Sequence, residues 1–148
     1  MKFRTLFAAA LIGAAGFAPA IAADEPQVVR QEMMKKVGGA TGAMAKMVKG
    51  ESEFDAAATL AALTTISEVA ATFGDYFPEG SETGMETEAA PAIWSDRAGF
   101  EAAIAKFKAD ADAGIAAAPA DLDGLKAAFG PLTKNCGTCH ETYRQKKS

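Results

Sequence analysis

The sequence predicts an all-α protein, an antiparallel four-helix bundle in a single domain. Alanine fills 27 of the 126 residues that remain when the first 22 are removed from 148, and long runs of β-branched residues are missing. Apolar residues recur at spacings of three and four in four separate stretches, which is typical of amphipathic helices. Four such helices in a chain of this length form one bundle. The formal net charge of −4 and a mean hydropathy near zero exclude a basic nucleic-acid-binding protein and a polytopic membrane protein.

The N-terminus has the pattern of a secretory signal. Two basic residues precede an apolar stretch from residue 6 to residue 17, and Ala20-Ile21-Ala22 offers small residues where a signal peptidase cleaves. We therefore predict that residues 1–22 are removed and that residues 23–148 form the mature domain in the periplasm. A membrane anchor is the alternative, but the apolar stretch is shorter than the roughly 20 residues that span a bilayer. We expect no stable membrane insertion after cleavage.

The first two helical stretches have recognisable ends. The first runs from Pro26 to Lys49 and is ended by Gly50. The second is predicted to begin at Ser52, whose hydroxyl can cap it together with Asp55, and to stop near Gly74. Its predicted apolar stripe consists of Phe54, Ala57, Leu60, Leu63, Ile66, Val69 and Phe73.

The second half of the chain contains one long connection and two further helices. Residues 74–90 are rich in Gly, Pro, Ser, Thr and Glu, and we predict a loop that crosses between the helix pairs. The third helix is predicted to open with Pro91 in its first turn and to end before Pro119. Asp121 can cap the fourth helix, in which Pro131 predicts a kink or a brief break.

Both cysteines and the only histidine fall in one run, Cys136-Gly137-Thr138-Cys139-His140. Cys-x-x-Cys-His is the signature of covalent haem c attachment. Two thiols three residues apart on a helical turn reach the two vinyl groups on one porphyrin edge. His140, one turn after Cys136, can then bind the iron as proximal ligand. The motif predicts one haem c, bound through Cys136 and Cys139.

Three other uses of this motif explain less of it. A thioredoxin-like thiol pair is expected at a helix N-terminus after a strand, whereas this pair comes late in the last helix of an all-helical chain. A structural zinc site needs a fourth ligand that the sequence does not place. A plain disulfide does not require the histidine.

The chain resembles the class II c-type cytochromes, the cytochrome c prime family, and in particular their low-spin branch. The resemblance rests on the haem motif near the C-terminus, with Arg144 four residues after His140, and on the pair Arg30-Gln31 early in the first helix. It implies that Arg30 and Gln31 line the haem edge, that Arg30 pairs with a propionate, and that Arg144 lies near the proximal imidazole or the propionates. Ordinary surface positions are the alternative for both arginines. For Trp94 the choice is between core packing and contact with the haem ring.

The sixth iron ligand is predicted to be Met34. On a helix, Met33, Met44 and Met47 share the core face, whereas Met34 lies about 100° away on the flank, one turn after Arg30. The resemblance places the distal residue at this same position. If the sulfur of Met34 binds iron, the haem is low-spin and suits electron transfer. If Met34 only packs over the iron, the haem is five-coordinate and open to NO or CO.

The leading hypothesis is therefore a non-enzymatic, periplasmic one-electron carrier that meets redox partner proteins. A gas-binding protein for NO or CO is the first alternative, and a thiol-disulfide oxidoreductase using Cys136 and Cys139 is the second. The resemblance also allows a homodimer, and no nucleic acid is expected as a partner. Basic residues near the haem motif could form a local docking patch, namely Lys134, Arg144, Lys146 and Lys147.

Overall fold

The computed structural model describes residues 25–145, so the predicted signal at residues 1–22 lies outside the described residues. Four long helices form an antiparallel four-helix bundle, which confirms the predicted fold class. Within the described residues the only β-type pairing is an isolated bridge between Ala89 and Arg144. The helices are α1 (Pro26–Val48), α2 (Ala56–Phe73), α3 (Ala92–Ser95), α4 (Arg97–Ala117) and α5 (Leu122–Tyr143), with a 3₁₀ turn at Gly74–Tyr76 after α2.

The core of the bundle runs along its axis between the four long helices. α1 packs on α2, α2 on α4, and α4 on α5, whereas direct contacts between α1 and α5 are sparse. The predicted core positions on α1 are confirmed, because Met33, Met44 and Met47 are buried. The principal buried side chains of this core are Met33, Val37, Met44, Met47, Leu63, Ile66, Val69, Leu125 and Leu132.

The first two helices end and begin at different kinds of residue. α1 ends at Val48, one residue before the predicted Lys49, and Gly50 follows the C-cap Lys49 with a φ of +75°, a left-handed conformation that glycine adopts without strain. The prediction that α2 begins at Ser52 is wrong. Asp55 is the N-cap, in an extended conformation, and its carboxylate accepts a 2.9 Å hydrogen bond from the backbone N–H of Ala58. A carboxylate caps as well as a hydroxyl does, and this one lies directly before the helical residues.

Two residues of the predicted α2 stripe, Ala57 and Leu60, are exposed. Leu60 is 44% exposed. A strict spacing of three residues drifts by about 60° around a helix at each step, so a long stripe built on it leaves the buried face. The buried face of α2 is instead centred on Ala62, Ile66 and Val69.

α2 also has the composition of a membrane-spanning segment. The segment Ala56–Tyr76 is long and apolar enough to cross a bilayer by length and composition. In the bundle its buried face packs between α1 and α4, and a core helix of this kind meets the same criterion.

The third predicted helix is divided into two. α3 ends at Ser95, and Asp96 interrupts the helix with φ −126° and ψ 56° before α4 begins. The carboxylate of Asp96 accepts from the N–H of Gly99 at 3.2 Å and so caps α4. Asp96 also accepts a 2.9 Å hydrogen bond from the hydroxyl of Tyr143, which joins the start of α4 to the end of α5.

α5 is the longest uninterrupted helix after the connection. Asp121 caps it as predicted, accepting from the N–H of Gly124 at 2.8 Å. The helix continues through Pro131, so the brief break considered there does not occur. The hydroxyl of Thr133 donates to the carbonyls of Phe129 and Gly130 in the turn around the proline. This continuity keeps the haem motif on a rigid helix.

Candidate haem-binding site

A cavity of about 510 Å³ lies at one end of the bundle. The first halves of α1 and α4 and the last halves of α2 and α5 form its walls, an alternation that follows from the antiparallel arrangement. Apolar side chains make up most of these walls, among them Val37, Val69, Phe73, Phe100, Ile104 and Phe107. The structure brings every predicted site residue to this cavity: Arg30, Gln31, Met34, Cys136, Cys139, His140 and Arg144.

One wall of the cavity is formed by the haem motif on α5. Cys136, Cys139 and His140 stand at positions i, i+3 and i+4 of one continuous helix, so they share a face. Both thiols are half-buried, and neither belongs to a disulfide. The thiol of Cys136 donates a weak hydrogen bond to the carbonyl of Leu132 at 3.7 Å. Two unpaired thiols and an imidazole therefore face the same apolar space.

The electrostatics of this wall do not favour thiol redox chemistry. Burial raises the pKa of the Cys136 thiol, and burial together with the neighbouring Cys136 raises the pKa of Cys139. A reactive thiol pair needs lowered pKa values, which a helix N-terminus supplies and the end of α5 does not. The pKa of His140 is lowered, first by burial and then by the charge of Arg144, while Glu88 opposes the shift. The neutral imidazole thus favoured is the form that binds a metal.

The donor set fits a haem better than a bare metal ion. Among residues 25–145, no three His, Cys, Asp or Glu side chains stand close enough together to hold a metal ion by themselves. Two thiols, one imidazole and one thioether around an apolar cavity are instead the groups that a covalently attached haem c requires.

Met34 lines the same cavity from α1. It is half-buried and lines the cavity, whereas Met33, one residue earlier, is buried in the bundle core. This difference follows from the 100° turn between consecutive residues of a helix. Among the residues that line the cavity, Met34 is the one methionine, so its thioether is the sulfur available as a sixth ligand.

Arg30 is almost completely buried at the edge of the cavity, with 5% of its surface exposed. An ordinary surface position is therefore wrong for this arginine. Its guanidinium donates to the carbonyl of Tyr76 at 3.1 Å, to the hydroxyl and carbonyl of Ser81 at 3.0 and 2.9 Å, and to the hydroxyl of Thr87 at 2.9 Å. Burial lowers the pKa of Arg30, and the nearby Glu82 partly offsets this.

Gln31 and Arg144 complete the rim of the cavity. Gln31 is exposed, and its side-chain amide donates to the carbonyl of Met85 at 2.8 Å. Arg144 is exposed and forms an ion pair with Glu88. Next to this pair, the N–H of Gln145 donates to the carbonyl of Glu88 at 2.7 Å, and the N–H of Ala90 to that of Tyr143 at 3.0 Å. The end of α5 is thereby tied to the long connection.

The predicted basic docking patch is only partly described. Lys134 is exposed on α5, whereas Lys146 and Lys147 lie outside the described residues. The ion pair with Glu88 offsets the positive charge that Arg144 would bring to this patch.

Trp94 packs in the core and does not line the cavity. Its ring lies 6.0 Å from that of Phe77, and its indole N–H donates to the carbonyl of Pro78 at 3.2 Å. Phe77 stacks edge-on against Phe100 at 4.8 Å, and Phe100 against Tyr143 at 5.3 Å. Phe77, Phe100 and Tyr143 of this aromatic cluster line the cavity.

Sequence reasoning missed the residues that the long connection contributes. Ser81 and Thr87 hold Arg30, and Glu88 reaches both Arg144 and the surroundings of His140. A segment without periodicity offers no local signal for these contacts. The five acidic and no basic residues of residues 74–90 were the available hint that the segment meets cations.

A four-helix bundle whose last helix presents Cys-x-x-Cys-His to a cavity at the bundle end has the architecture of a class II c-type cytochrome. The family model described as Cytochrome C' matches residues 25–144, and the chain belongs to that family. It is similar to the cytochrome c-556 of Agrobacterium fabrum, at 50% identity over 99% of both chains.

Solved structures agree with this assignment. The cytochrome c' from Rhodopseudomonas palustris matches with a TM-score of 0.81 and 36% identity, covering 85% of this chain and 100% of that one. A nitric oxide complex of a cytochrome c prime mutant from Alcaligenes xylosoxidans matches with a TM-score of 0.72 and 35% identity, covering 83% and 98%.

Proposed function

We propose that the protein is a periplasmic carrier of single electrons that holds one haem c. In this proposal Cys136 and Cys139 form the thioethers, His140 is the proximal ligand and Met34 is the sixth ligand. The observation that supports it is that all four side chains line one apolar cavity, three from α5 and one from α1. When bound, haem supplies an iron that changes its charge by one unit.

The protein's own contribution is to keep both ligands neutral and in place. The lowered pKa of His140 favours an imidazole without charge, and a thioether carries no charge at any pH. His140 is fixed by the continuous α5, and Met34 by the first half of α1. Because both ligands project from helices packed in one bundle, the site changes little when the iron charge changes. A small rearrangement is what fast electron transfer requires.

The apolar walls serve the same purpose. Side chains such as Val69, Phe73 and Phe107 line the cavity and offer water no hydrogen-bond partner. Exclusion of water from a haem site disfavours the more highly charged oxidised state and so raises the reduction potential. The open rim carries Lys35, Glu86 and Arg144, and we propose that redox partner proteins dock there. We propose no catalytic role for this domain.

The sixth ligand is tested by Met34→Ala, with Met33→Ala as the matched control. Loss of Met34 should convert a low-spin absorption spectrum to a high-spin one and let CO bind, while haem staining on a denaturing gel remains. Met33→Ala should keep the low-spin spectrum and lower the free energy of unfolding by about 2–5 kcal/mol, because Met33 packs in the core. The double variant shows whether Met33 replaces the missing ligand.

A second candidate function is the binding of NO or CO at a five-coordinate iron. It is favoured by the similarity to a cytochrome c prime whose nitric oxide complex has been solved. An unmodified protein that is already high-spin and binds CO readily would refute ligation by Met34 and support this candidate. Free, titratable thiols without covalent haem would refute both candidates.

A further inference from the structure

Three polar side chains of α1 donate hydrogen bonds to the connection between α2 and α3. Gln27 donates to the carbonyl of Thr83 at 2.8 Å, and Gln31 to that of Met85 at 2.8 Å. Arg30 donates four hydrogen bonds, to Tyr76, Ser81 and Thr87, with lengths between 2.9 and 3.1 Å. The connection is thus held from one side by a single turn of helix. We refer to residues 76–87 as the clasped loop.

We propose that Arg30 is a positioning residue, whose buried guanidinium holds the clasped loop closed against the edge of the haem cavity. Ser81 and Thr87 are its partners in this role. Thr87 and Arg30 both line the cavity, so the closed loop forms part of its wall. The inference rests on the proposed function only where it concerns the haem. The closure of the loop is a property of the chain itself.

The chemistry of the contacts indicates a clasp. All four acceptors are neutral oxygens, two carbonyls and two hydroxyls, and they belong to residues spread over the whole loop. The guanidinium carbon of Arg30 also lies over the ring of Phe77, 4.6 Å from its centroid. A planar fork with five donors can bridge three loop residues at once, and a lysine ammonium cannot match this geometry. Four of these five donors are engaged, which leaves one N–H for a haem propionate.

A buried cation among neutral oxygens is costly unless each contact is made. Burial lowers the pKa of Arg30, which reports the cost of removing its charge from water. Ser81 shares this burial, with 4% of its surface exposed, and its hydroxyl also donates to the carbonyl of Pro78 at 2.8 Å. Loss of one acceptor therefore leaves a charged donor unpaired and favours an open loop.

Opening of the loop has a redox consequence. Water that reaches the cavity edge stabilises the oxidised state, so an open loop should lower the reduction potential. Ser81 itself is not among the cavity walls. A change of potential on altering Ser81 must therefore act through Arg30 and the loop.

The test uses the haem-loaded protein and the variants Ser81→Ala, Thr87→Val and Arg30→Lys. Thr83→Ala is the matched control, because the Thr83 side chain is exposed and only its backbone carbonyl accepts from Gln27. Loop opening is measured by amide hydrogen exchange and by a glutamate-specific protease, since the loop contains Glu79, Glu82 and Glu86 and no lysine or arginine. Reduction potentials are measured on the same samples.

We expect Ser81→Ala and Thr87→Val each to speed exchange and cleavage of the loop about tenfold or more. Arg30→Lys should do so further, and all three should lower the reduction potential, while Thr83→Ala stays within about twofold of the unmodified protein. Unchanged loop exchange in both Ser81→Ala and Thr87→Val would overturn the clasp. A lowered potential in Arg30→Lys alone, with a protected loop, would also overturn it and leave Arg30 a direct haem contact. Absence of covalent haem would refute the proposed function, and the exchange data would still decide the clasp.

Discussion

Gly114 on α4 packs against Leu63 of α2, and it provides a sharp test of the packing. A Cβ atom at this position would lie 3.1 and 3.2 Å from the two methyl carbons of Leu63 and 3.4 Å from the Cβ of Ala128. Leu63 is fully buried and has little room to move. We therefore expect Gly114→Ala to destabilise the protein even though alanine is the better helix former.

The magnitude follows from two opposing contributions. Replacing a glycine inside a helix by alanine gains about 1 kcal/mol of helix propensity. Adding a methyl group to a packed core costs about 1–3 kcal/mol in displaced neighbours. The net effect at Gly114 is a loss of about 1 kcal/mol, and the sign is set by the core. Gly39 on α1 is the matched control, because no atom lies within 4 Å of its would-be Cβ, and Gly39→Ala should stabilise by about 0.5–1 kcal/mol.

The assay is urea unfolding of the haem-loaded protein, followed by far-ultraviolet circular dichroism. Gly114→Ala and Gly39→Ala should differ by about 1–3 kcal/mol in free energy of unfolding, since the propensity gain cancels between them. Leu63→Val gives the added methyl more room. In the Leu63→Val background, Gly114→Ala should therefore cost less free energy of unfolding than it does in the unmodified protein. Equal stabilisation by the two single variants would refute the close packing of α4 on α2.

Two further predictions concern a helix cap and a carboxylate. Asp55→Ala should lower the free energy of unfolding by about 1 kcal/mol, because Asp55 accepts a hydrogen bond from the first turn of α2. Ser52→Ala should lower it by much less, because Ser52 accepts none there. Thermal unfolding of both variants checks this, and equal effects would contradict the cap assignment. The carboxylate of Asp110 has a pKa lowered by hydrogen bonds from Lys106 and then Asn135. The ionised carboxylate contributes its full stabilisation above the unfolded pKa of about 3.9, and this contribution is lost as pH falls through the lower folded pKa. Acid-unfolding curves between pH 5 and pH 2 should therefore show a smaller loss of stability for Asp110→Asn than for the unmodified protein.

Features set by neighbouring residues were predictable from the sequence. The buried face of α1, the glycine that ends it and the Asp121 cap depend on residues within a few positions of one another. The haem motif is equally local, since its three side chains occupy one turn of α5. The flank position of Met34 also follows from helical geometry alone, and the structure places it at the cavity as that geometry requires.

Contacts between distant parts of the chain were not predictable in the same way. Arg30 meets residues 46 to 57 positions away, in a segment without periodicity. The break at Asp96 was masked because Ile93 and Phe100 continue an apolar pattern across it, although a capping residue before a helix was a usable signal. In both cases side chains from another element decide the local structure, and a helical pattern carries no information about them.

The sparse contact between α1 and α5 has a consequence for how the bundle is held together. Three of its four helix seams are closed by side chains of the chain itself, whereas the fourth borders the cavity. A group bound to both Met34 and His140 would join residues that are 140 − 34 = 106 positions apart in the sequence. In the chain-entropy view, a link that closes a loop of this length restricts the unfolded chain by about 4–5 kcal/mol, as a long-range disulfide does. The cofactor would then act as a cross-link between the two ends of the protein, and the strength of the iron–sulfur bond would set the cooperativity of unfolding as well as the redox potential.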